Sequence, residues 1–161
     1  MLKPNIITLE EKTLVGKSII MTFNDNKTSD LWRSFMPYRN QIKNRISTDL
    51  YSLQVYDKTF ENDDFNPHIT FTKYALVEVS QADELPENMT VFELPKGLYA
   101  VFNYKGMAKD VPSFFYQIMK VWLPQSNYNI DDRPHFELIK ENYNPMDENA
   151  EEEFFIPIKL K

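Results

Sequence analysis

Apolar and polar positions divide the chain into strand-like and helix-like segments. Segments rich in β-branched and aromatic residues, which fit a pleated and half-buried surface, alternate with polar turns. Because the chain has only three Gly but 10 Pro, Pro residues and polar clusters mark most of the boundaries. An acidic loop is predicted over 58–67. Strands are predicted over 13–23, 51–56, 69–79, 91–102 (around a turn at 94–97), 136–139 and 154–160.

Two helices interrupt these strands. The first is predicted to begin with a capping residue at 28–30, and Pro37 either kinks it or starts a second helix. The other opens at Asp110 and Pro112 and ends at Pro124. Apolar positions recur at helical spacing at Leu31, Phe35, Ile42 and Ile46 in the first, and at Val111, Phe114, Phe115, Ile118, Met119 and Trp122 in the second.

The two halves of the chain share one order of elements: strand, helix, strand, strand. Their helices begin near Asp30 and Asp110, an offset of about 80 residues that is typical of a duplication. We therefore predict one α+β domain over 1–161, with tandem β-α-β-β halves at roughly 1–82 and 83–161 around a pseudo-twofold axis. Clefts between packed modules are preferred ligand sites, so we expect a cleft between the halves.

The amino-acid composition excludes several classes of function. The 161 residues are 42% hydrophobic and 26% charged, which is typical of a globular domain. The net charge of −6 argues against nucleic-acid binding, which needs clustered Lys and Arg. Without Cys there are no disulfides, thiolate zinc sites or Cys nucleophiles, and the chain suits a reducing cytosol. No long apolar stretch is present and none follows Lys3, so we expect a cytoplasmic protein without a membrane span or signal peptide.

Several motifs for cofactors and metals are incomplete. Gly16-Lys17-Ser18 resembles the end of a phosphate-binding loop, but Glu11 stands where the first Gly is required. His68 and His135 lack metal-binding spacing and are interpreted as satisfied or surface imidazoles. We therefore expect no metal and no cofactor. The acidic run over 151–153 is interpreted as a solvated loop that blunts an edge strand.

Glu137 is the candidate reactive residue. It lies in an otherwise apolar strand, where its side chain shares one face of the sheet with His135 and Ile139. An ionised carboxylate in such a place needs a partner. In one interpretation, Arg133, Arg39 or another cation satisfies it structurally, or its face is solvated. In the other, it lies on the floor of a cleft, where it can meet a cationic ligand or move a proton.

Aromatic residues are the second ingredient of a binding site. Amphipathic rings can wall a cleft and contact flat or cationic ligands through stacking and cation–π attraction. Phe35, Phe114, Phe115 and Ile118 have the spacing of plain core positions. The candidate wall residues are Trp32, Tyr38, Tyr56, Tyr74, Tyr104 and Trp122.

The order and spacing of several short motifs resemble those of the GyrI-like small-molecule-binding domain, which also serves as the effector-binding part of AraC- and MerR-type drug-responsive regulators. Nearly the whole chain is covered. Three positions depart from the pattern: Ile139 stands where Tyr is common, Leu76 where Gly is usual after Tyr-Ala, and Asn127 where Gly is frequent. The matching motifs are Leu31-Trp32 with Phe35 and Pro37, Tyr74-Ala75 with 77–79, 94–102, Gly106, 122–128, Phe136-Glu137 and 156–159.

The resemblance implies two β-α-β-β units (SHS2-like) around a pseudo-twofold axis, with an aromatic ligand cleft between them. Glu137 matches the family's Glu, which serves as the counter-charge to amphipathic cations. Some relatives are thought to use this Glu to open strained electrophilic rings with water, and others to sequester toxins or modulate gyrase. Because the sequence shows no helix-turn-helix segment, we expect a stand-alone protein.

Three functions follow as hypotheses. The first is a binding protein for hydrophobic, cationic or polarised aromatic compounds, with Glu137 as anchor and Trp32, Tyr38, Tyr56, Tyr74 and Trp122 as candidate walls. The second is a hydrolase in which Glu137 is the general acid or base. The third is an interaction partner of DNA gyrase whose acidic surface mimics a nucleic acid.

Overall fold

A computed structural model describes residues 2–56 and 67–161. Apart from Pro67, the predicted acidic loop over 58–67 lies outside these residues. The strands are β1 (Asn5–Leu9), β2 (Lys12–Met21), β3 (Leu50–Tyr56), β4 (Phe71–Val79), β5 (Thr90–Leu94), β6 (Gly97–Lys105), β7 (Tyr128–Ile130), β8 (His135–Ile139) and β9 (Glu151–Leu160). The helices are α1 (Thr28–Phe35), α2 (Val111–Gln117) and α3 (Leu123–Gln125), with 3-10 segments at Met36–Gln41 and Ala108–Asp110 and a π-helical segment at Ile118–Trp122.

The strands form an antiparallel sheet whose order relates the two halves of the chain. The order is β1-β6-β9-β8-β3-β4-β2-β5, and β7 pairs with one end of β9. At the centre of the sheet, β8 of the second half pairs with β3 of the first half. Outward from this pair, β9, β6 and β1 on one side correspond to β4, β2 and β5 on the other. The strand that precedes each unit pairs with the other unit, because β1 joins β6 and β5 joins β2. The α+β fold with a pseudo-twofold axis is therefore confirmed.

Several element predictions were wrong in detail. Strands β1 and β7 were not predicted; both are short and pair at the margins of the sheet. The acidic run over 151–153 is not a loop, since it forms the start of β9 between β6 and β8. Pro124 lies inside α3 rather than ending the helix, because the first turn of a helical segment tolerates a residue without an N–H.

The first helix is shorter than predicted. Lys27 precedes α1 without a side-chain cap, and α1 ends at Phe35 because Pro37 opens the 3-10 segment. Ile42 and Ile46 therefore lie outside the helix. Ile42 still joins the core from extended backbone, whereas Ile46 is 56% exposed.

The core lies on both faces of the sheet. On one face, α1 packs over the first half through Leu31 and Phe35, while α2 and the segment after it pack over the second half around Ile118. These are two separate clusters, so space remains between the helices above β3 and β8. The opposite face is filled by a third cluster that includes Leu53 and Phe136. None of the helices in the described residues is long and apolar enough to cross a lipid bilayer.

Candidate ligand-binding cavity

A cavity of about 1100 Å³ lies between α1 and α2, above the junction of β3 and β8. Its size suits a drug-sized molecule, since small-molecule sites usually enclose about 300–1,000 Å³. The walls come from both helices, from the ends of β2 and β4, and from the segment after β8. Large apolar and aromatic side chains that line it include Trp32, Met36, Tyr56, Phe71, Phe115, Tyr116, Met119, Leu123, Ile139 and Tyr143.

The floor of the cavity carries polar side chains that the strand period places on one face. Glu137 of β8 lies directly opposite Ser52 of β3, and Gln54 of β3 lies opposite Lys73 of β4. Glu152 of β9 occupies the same face, beside β8. Because alternate residues of neighbouring strands share a face, these five side chains converge on the cavity.

Glu137 lies at the centre of this floor and is half-buried. Neither cation that the sequence suggested as its partner contacts it. Arg39 forms a salt bridge with Glu141, and Arg133 binds Asp131 and backbone carbonyls. Within residues 2–56 and 67–161 we find no hydrogen bond or salt bridge to Glu137. Its carboxylate therefore lines the cavity without a hydrogen-bonding or ionic partner among these residues.

Glu152 is a second acidic group in the cavity, and its side chain is only 6% exposed. Burial and the neighbouring charge of Glu137 raise the pKa of Glu152 to about 7, although a hydrogen bond from Tyr143 and the charge of Lys73 act in the opposite direction. Sequence reasoning missed Glu152 by assigning it to a loop. Its period-two spacing with Phe154 and the buried residues that follow was the available signal.

Lys73 is the basic group of the floor and is 6% exposed. Its ammonium donates a hydrogen bond to Gln54 Oε1 at 2.5 Å. Sequence reasoning gave Lys73 no role, because the chain around it indicates only an ordinary strand. Its place on the face shared with Phe71 and Ala75 depends on the strand period.

Tyr56 lines the cavity, and His135 packs against Tyr56 outside the lining. Burial, with the charge of Glu137, raises the pKa of the Tyr56 hydroxyl, which therefore stays protonated. Burial lowers the pKa of His135 to about 3, so the imidazole is neutral at physiological pH. The two rings meet edge to face, with centroids 5.1 Å apart. The other histidine, His68, is exposed.

Of the predicted wall residues, Trp32 and Tyr56 line the cavity together with Glu137. Trp32 extends from α1 and packs edge-on against Phe35. Phe115, which its spacing marked as plain core, also lines the cavity from α2. The structure thus brings these residues together, and their contact with a ligand stays a prediction.

The remaining predicted wall residues lie elsewhere. Tyr38 is 48% exposed on the 3-10 segment after α1 and lies under the Lys17 ammonium. Tyr74 faces the other side of β4, because it is one residue away from Lys73. Trp122 and Tyr104 pack within the core cluster beneath α2. All four lie outside the cavity lining. Strand periodicity turns Tyr74 to the other face of the sheet. Tyr104 shares the face of its strand partner Glu152, but its ring packs against Phe114 of α2.

The cavity combines aromatic rings with ionisable side chains. Aromatic rings offer stacking surfaces and negative ring faces, and carboxylates offer counter-charge in a site of low polarity. With Glu152 ionised, two carboxylates face one ammonium on the floor. The floor then carries one excess negative charge, whereas the whole lining, which also includes Lys120, Lys140 and Glu141, holds three Lys and three Glu.

Comparison with known proteins agrees with this geometry. The chain matches the family described as GyrI-like small molecule binding domain over residues 2–159. It is similar to the transcriptional regulator BrlR of Pseudomonas aeruginosa, with 24% identity over 148 residues. The match covers 91% of this chain and 52% of the regulator, so the chain spans about half of the length of that protein.

Solved structures share the fold. SAV2435 bound to tetraphenylphosphonium has a TM-score of 0.71 at 17% identity, with 98% of this chain and 94% of that one covered. The C-terminal domain of EcmrR has a TM-score of 0.69 at 12% identity, with 100% of this chain and 99% of that one covered. A hydrolase encoded by lin2189 from Listeria innocua has a TM-score of 0.60 at 11% identity, with 98% of this chain and 92% of that one covered. At these identities the likeness is one of fold alone.

Proposed function

Because the chain belongs to the GyrI-like small-molecule-binding domain family, we propose that its cavity binds hydrophobic aromatic cations. Glu137 and Glu152 supply the counter-charge, and Trp32, Tyr56 and Phe115 supply the walls. The observation that carries the proposal is the open carboxylate of Glu137 at the centre of a large aromatic cavity. The complex of SAV2435 with tetraphenylphosphonium, a lipophilic cation, supports the same ligand class.

The experiment measures binding of tetraphenylphosphonium by isothermal titration calorimetry to the native protein and to Glu137→Gln. Glutamine preserves shape but removes the charge. Losing one partner of a desolvated charge pair costs about 2–5 kcal/mol, so we expect the affinity to fall at least about tenfold. Glu152→Gln should weaken binding less at pH 7, because Glu152 is about half protonated there.

Glu153→Gln is the matched control. It makes the same change at the next position of β9, whose side chain is outside the cavity lining. Its affinity should equal that of the native protein. Equal affinities for native protein and Glu137→Gln would refute the role of Glu137 as anchor.

A second candidate function is hydrolysis of strained electrophilic rings. Tyr143 brings a hydroxyl to the cavity beside Glu152, close to Ile139, where relatives commonly carry a Tyr. In this scheme Glu137 takes a proton from the water that attacks the ring, and protonated Glu152 donates a proton to the atom released by ring opening. The product is the substrate plus one water. The fold of the lin2189 hydrolase supports this candidate at the level of fold only.

Mass spectrometry tests the second candidate. A strained-ring electrophile, such as an aryl epoxide, is incubated with native protein, Glu137→Gln and the Glu153→Gln control. Hydrolysis predicts that the compound gains the mass of one water with the native protein and the control, and not with Glu137→Gln. Recovery of the unchanged compound from all three proteins would exclude the reaction for that compound.

A further inference from the structure

We propose that the cavity is built for a zwitterionic aromatic ligand, whose cation meets Glu137 and Glu152 and whose anion binds the ammonium of Lys73. This inference rests on the proposed function and refines its ligand class. A purely cationic ligand would leave Lys73 without a charged contact. Carboxylates, phenolates and sulfonates are the anionic groups that such a ligand would carry.

The sheet register places opposite charges at equivalent positions of the two halves. The paired residues Ser52 and Glu137 lie at the centre, where β3 meets β8. Two residues further along each central strand, Gln54 pairs with Lys73 of β4, and Ile139 pairs with Glu152 of β9. Lys73 and Glu152 are therefore related by the pseudo-twofold axis. The cavity floor is basic on the β4 side and acidic on the β9 side.

Lys73 lacks a contact ion pair. Its side chain is 6% exposed, and its ammonium donates a hydrogen bond to the neutral amide of Gln54, at 2.5 Å. Within residues 2–56 and 67–161 no carboxylate lies within salt-bridge distance of its Nζ atom. Glu152 feels the charge of Lys73, but at a longer range. An ammonium carries three donors, so donors remain for a ligand in the cavity.

The energetics favour a ligand anion at this place. A buried ammonium loses hydration, and a contact partner in a site of low polarity restores part of that loss. Hydrogen bonds between ionised groups are shorter and about twice as strong as neutral ones. The lining also includes the aromatic side chains of Trp32, Tyr56 and Phe115, which a conjugated scaffold between cation and anion can contact.

The experiment compares rhodamine B with rhodamine B ethyl ester, which share the cationic ring system. At pH 7.5 the first carries a free carboxylate and the second carries none. Binding to native protein, Lys73→Met, Lys73→Arg and Lys105→Met is followed by fluorescence anisotropy. Lys105→Met is the control, because Lys105 is exposed on β6 outside the cavity lining.

We expect the loss of the Lys73 ammonium to affect the two dyes differently. In Lys73→Met the affinity for rhodamine B should fall by about tenfold. The affinity for the ester should stay the same or rise, because a positive charge that repels the cationic dye has been removed. Lys73→Arg and Lys105→Met should keep the native ratio of affinities. The ratio of the two affinities is compared between proteins. Effects of the ester's extra ethyl group, and of any general loss of packing in the variant, therefore cancel in this comparison.

The outcomes separate this inference from the proposed function. An unchanged ratio in Lys73→Met, with the ester still bound, would overturn the role of Lys73 and leave the proposed cation site standing. If Lys73→Met fails to fold, the ratio in Lys73→Gln decides in the same way. Binding of neither dye to the native protein would overturn both.

Discussion

Burial sets the charge of individual groups around the cavity. Glu152 and His135 are both buried, and in both cases burial penalises the charged form. The carboxyl of Glu152 therefore holds its proton up to about pH 7, whereas the imidazole of His135 remains neutral down to about pH 3. Glu137, less buried, sits between them on the floor. The acidity of the cavity therefore changes near neutral pH through Glu152.

The raised pKa of Glu152 predicts a pH dependence of stability. The folded-state pKa of about 7 exceeds the ordinary value of 4.5, so the native state holds the proton more tightly than the unfolded state. The free energy of unfolding should therefore fall as pH rises from 4.5 to 7, by roughly 3 kcal/mol. In Glu152→Gln this loss should be absent. Urea denaturation at pH values between 5 and 8 measures it.

The comparison of the two proteins also removes the contribution of His135. The lowered pKa of His135 acts with the opposite sign, because the unfolded state then binds the proton more tightly between pH 3 and 6.5. The contribution of His135 is the same in the native protein and in Glu152→Gln, so it cancels when their free energies of unfolding are subtracted. Glu153→Gln should follow the native curve. Parallel curves for native protein and Glu152→Gln would contradict the buried, proton-holding state of Glu152.

At the scale of elements, strand periodicity aligns the polar floor. A shift of one residue in β9 would turn Glu152 to the opposite face and bring Glu153 into the cavity. Close packing between strands holds the register in place. Gly16 illustrates this on β2, because a Cβ atom there would lie 1.8 Å from the backbone oxygen of Ala75 on β4. The Gly-Lys-Ser motif is therefore part of a strand, and its Gly permits close strand packing.

The positions at which the helices end determine where the cavity opens between them. Pro37 stops α1 after two turns, so α1 covers only its own half of the sheet. In the second half, α2 continues into a π-helical segment before α3. Met119 and Leu123 extend from this region into the cavity wall. The gap between the two helical layers is thus a consequence of their lengths and positions.

At the scale of the whole molecule, the halves are joined by more than the central pair of strands. Since β1 joins β6 and β5 joins β2, each unit carries an edge strand from the chain segment that precedes the other. The third core cluster also combines Leu53 of one half with Phe136 of the other. Neither half can therefore bury its apolar face alone.

This topology predicts that both halves unfold in one transition. Trp32 lies in the first half and Trp122 in the second, so Trp122→Phe and Trp32→Phe each leave one fluorescent reporter. The two urea transitions should have the same slope and closely similar midpoints, after allowance for the substitutions themselves. Leu53→Ala, at a fully buried site, should destabilise the protein by about 2–5 kcal/mol in both backgrounds.

The result that would contradict this prediction is a separation of the two transitions. If Leu53→Ala shifted the Trp32 signal and left the Trp122 signal in place, the halves would be independent folding units. Far-ultraviolet circular dichroism provides a common probe of both. Its transition should coincide with each fluorescence transition.

The sequence by itself determined the order of the main elements, the repeated pattern of the halves and the singular position of Glu137. These features depend on local chemistry: β-branched runs favour strands, Pro interrupts helices, and one carboxylate in an apolar strand stands out. The family resemblance came from short motifs in a fixed order. Each element and each motif is recognised within a few residues of chain, and their order is read along the sequence, so no tertiary contact is needed to detect them.

Tertiary structure alone decided which side chains share the cavity. Lys73 and Glu152 are far apart in sequence, and only the pairing of β3, β4, β8 and β9 brings them to one floor. The same pairing turned Tyr74 to the opposite face, and packing beneath α2 took Trp122 into the core. Periodicity tells which residues of a strand share a face. Which of the two faces meets a cavity depends on how the assembled sheet and helices pack.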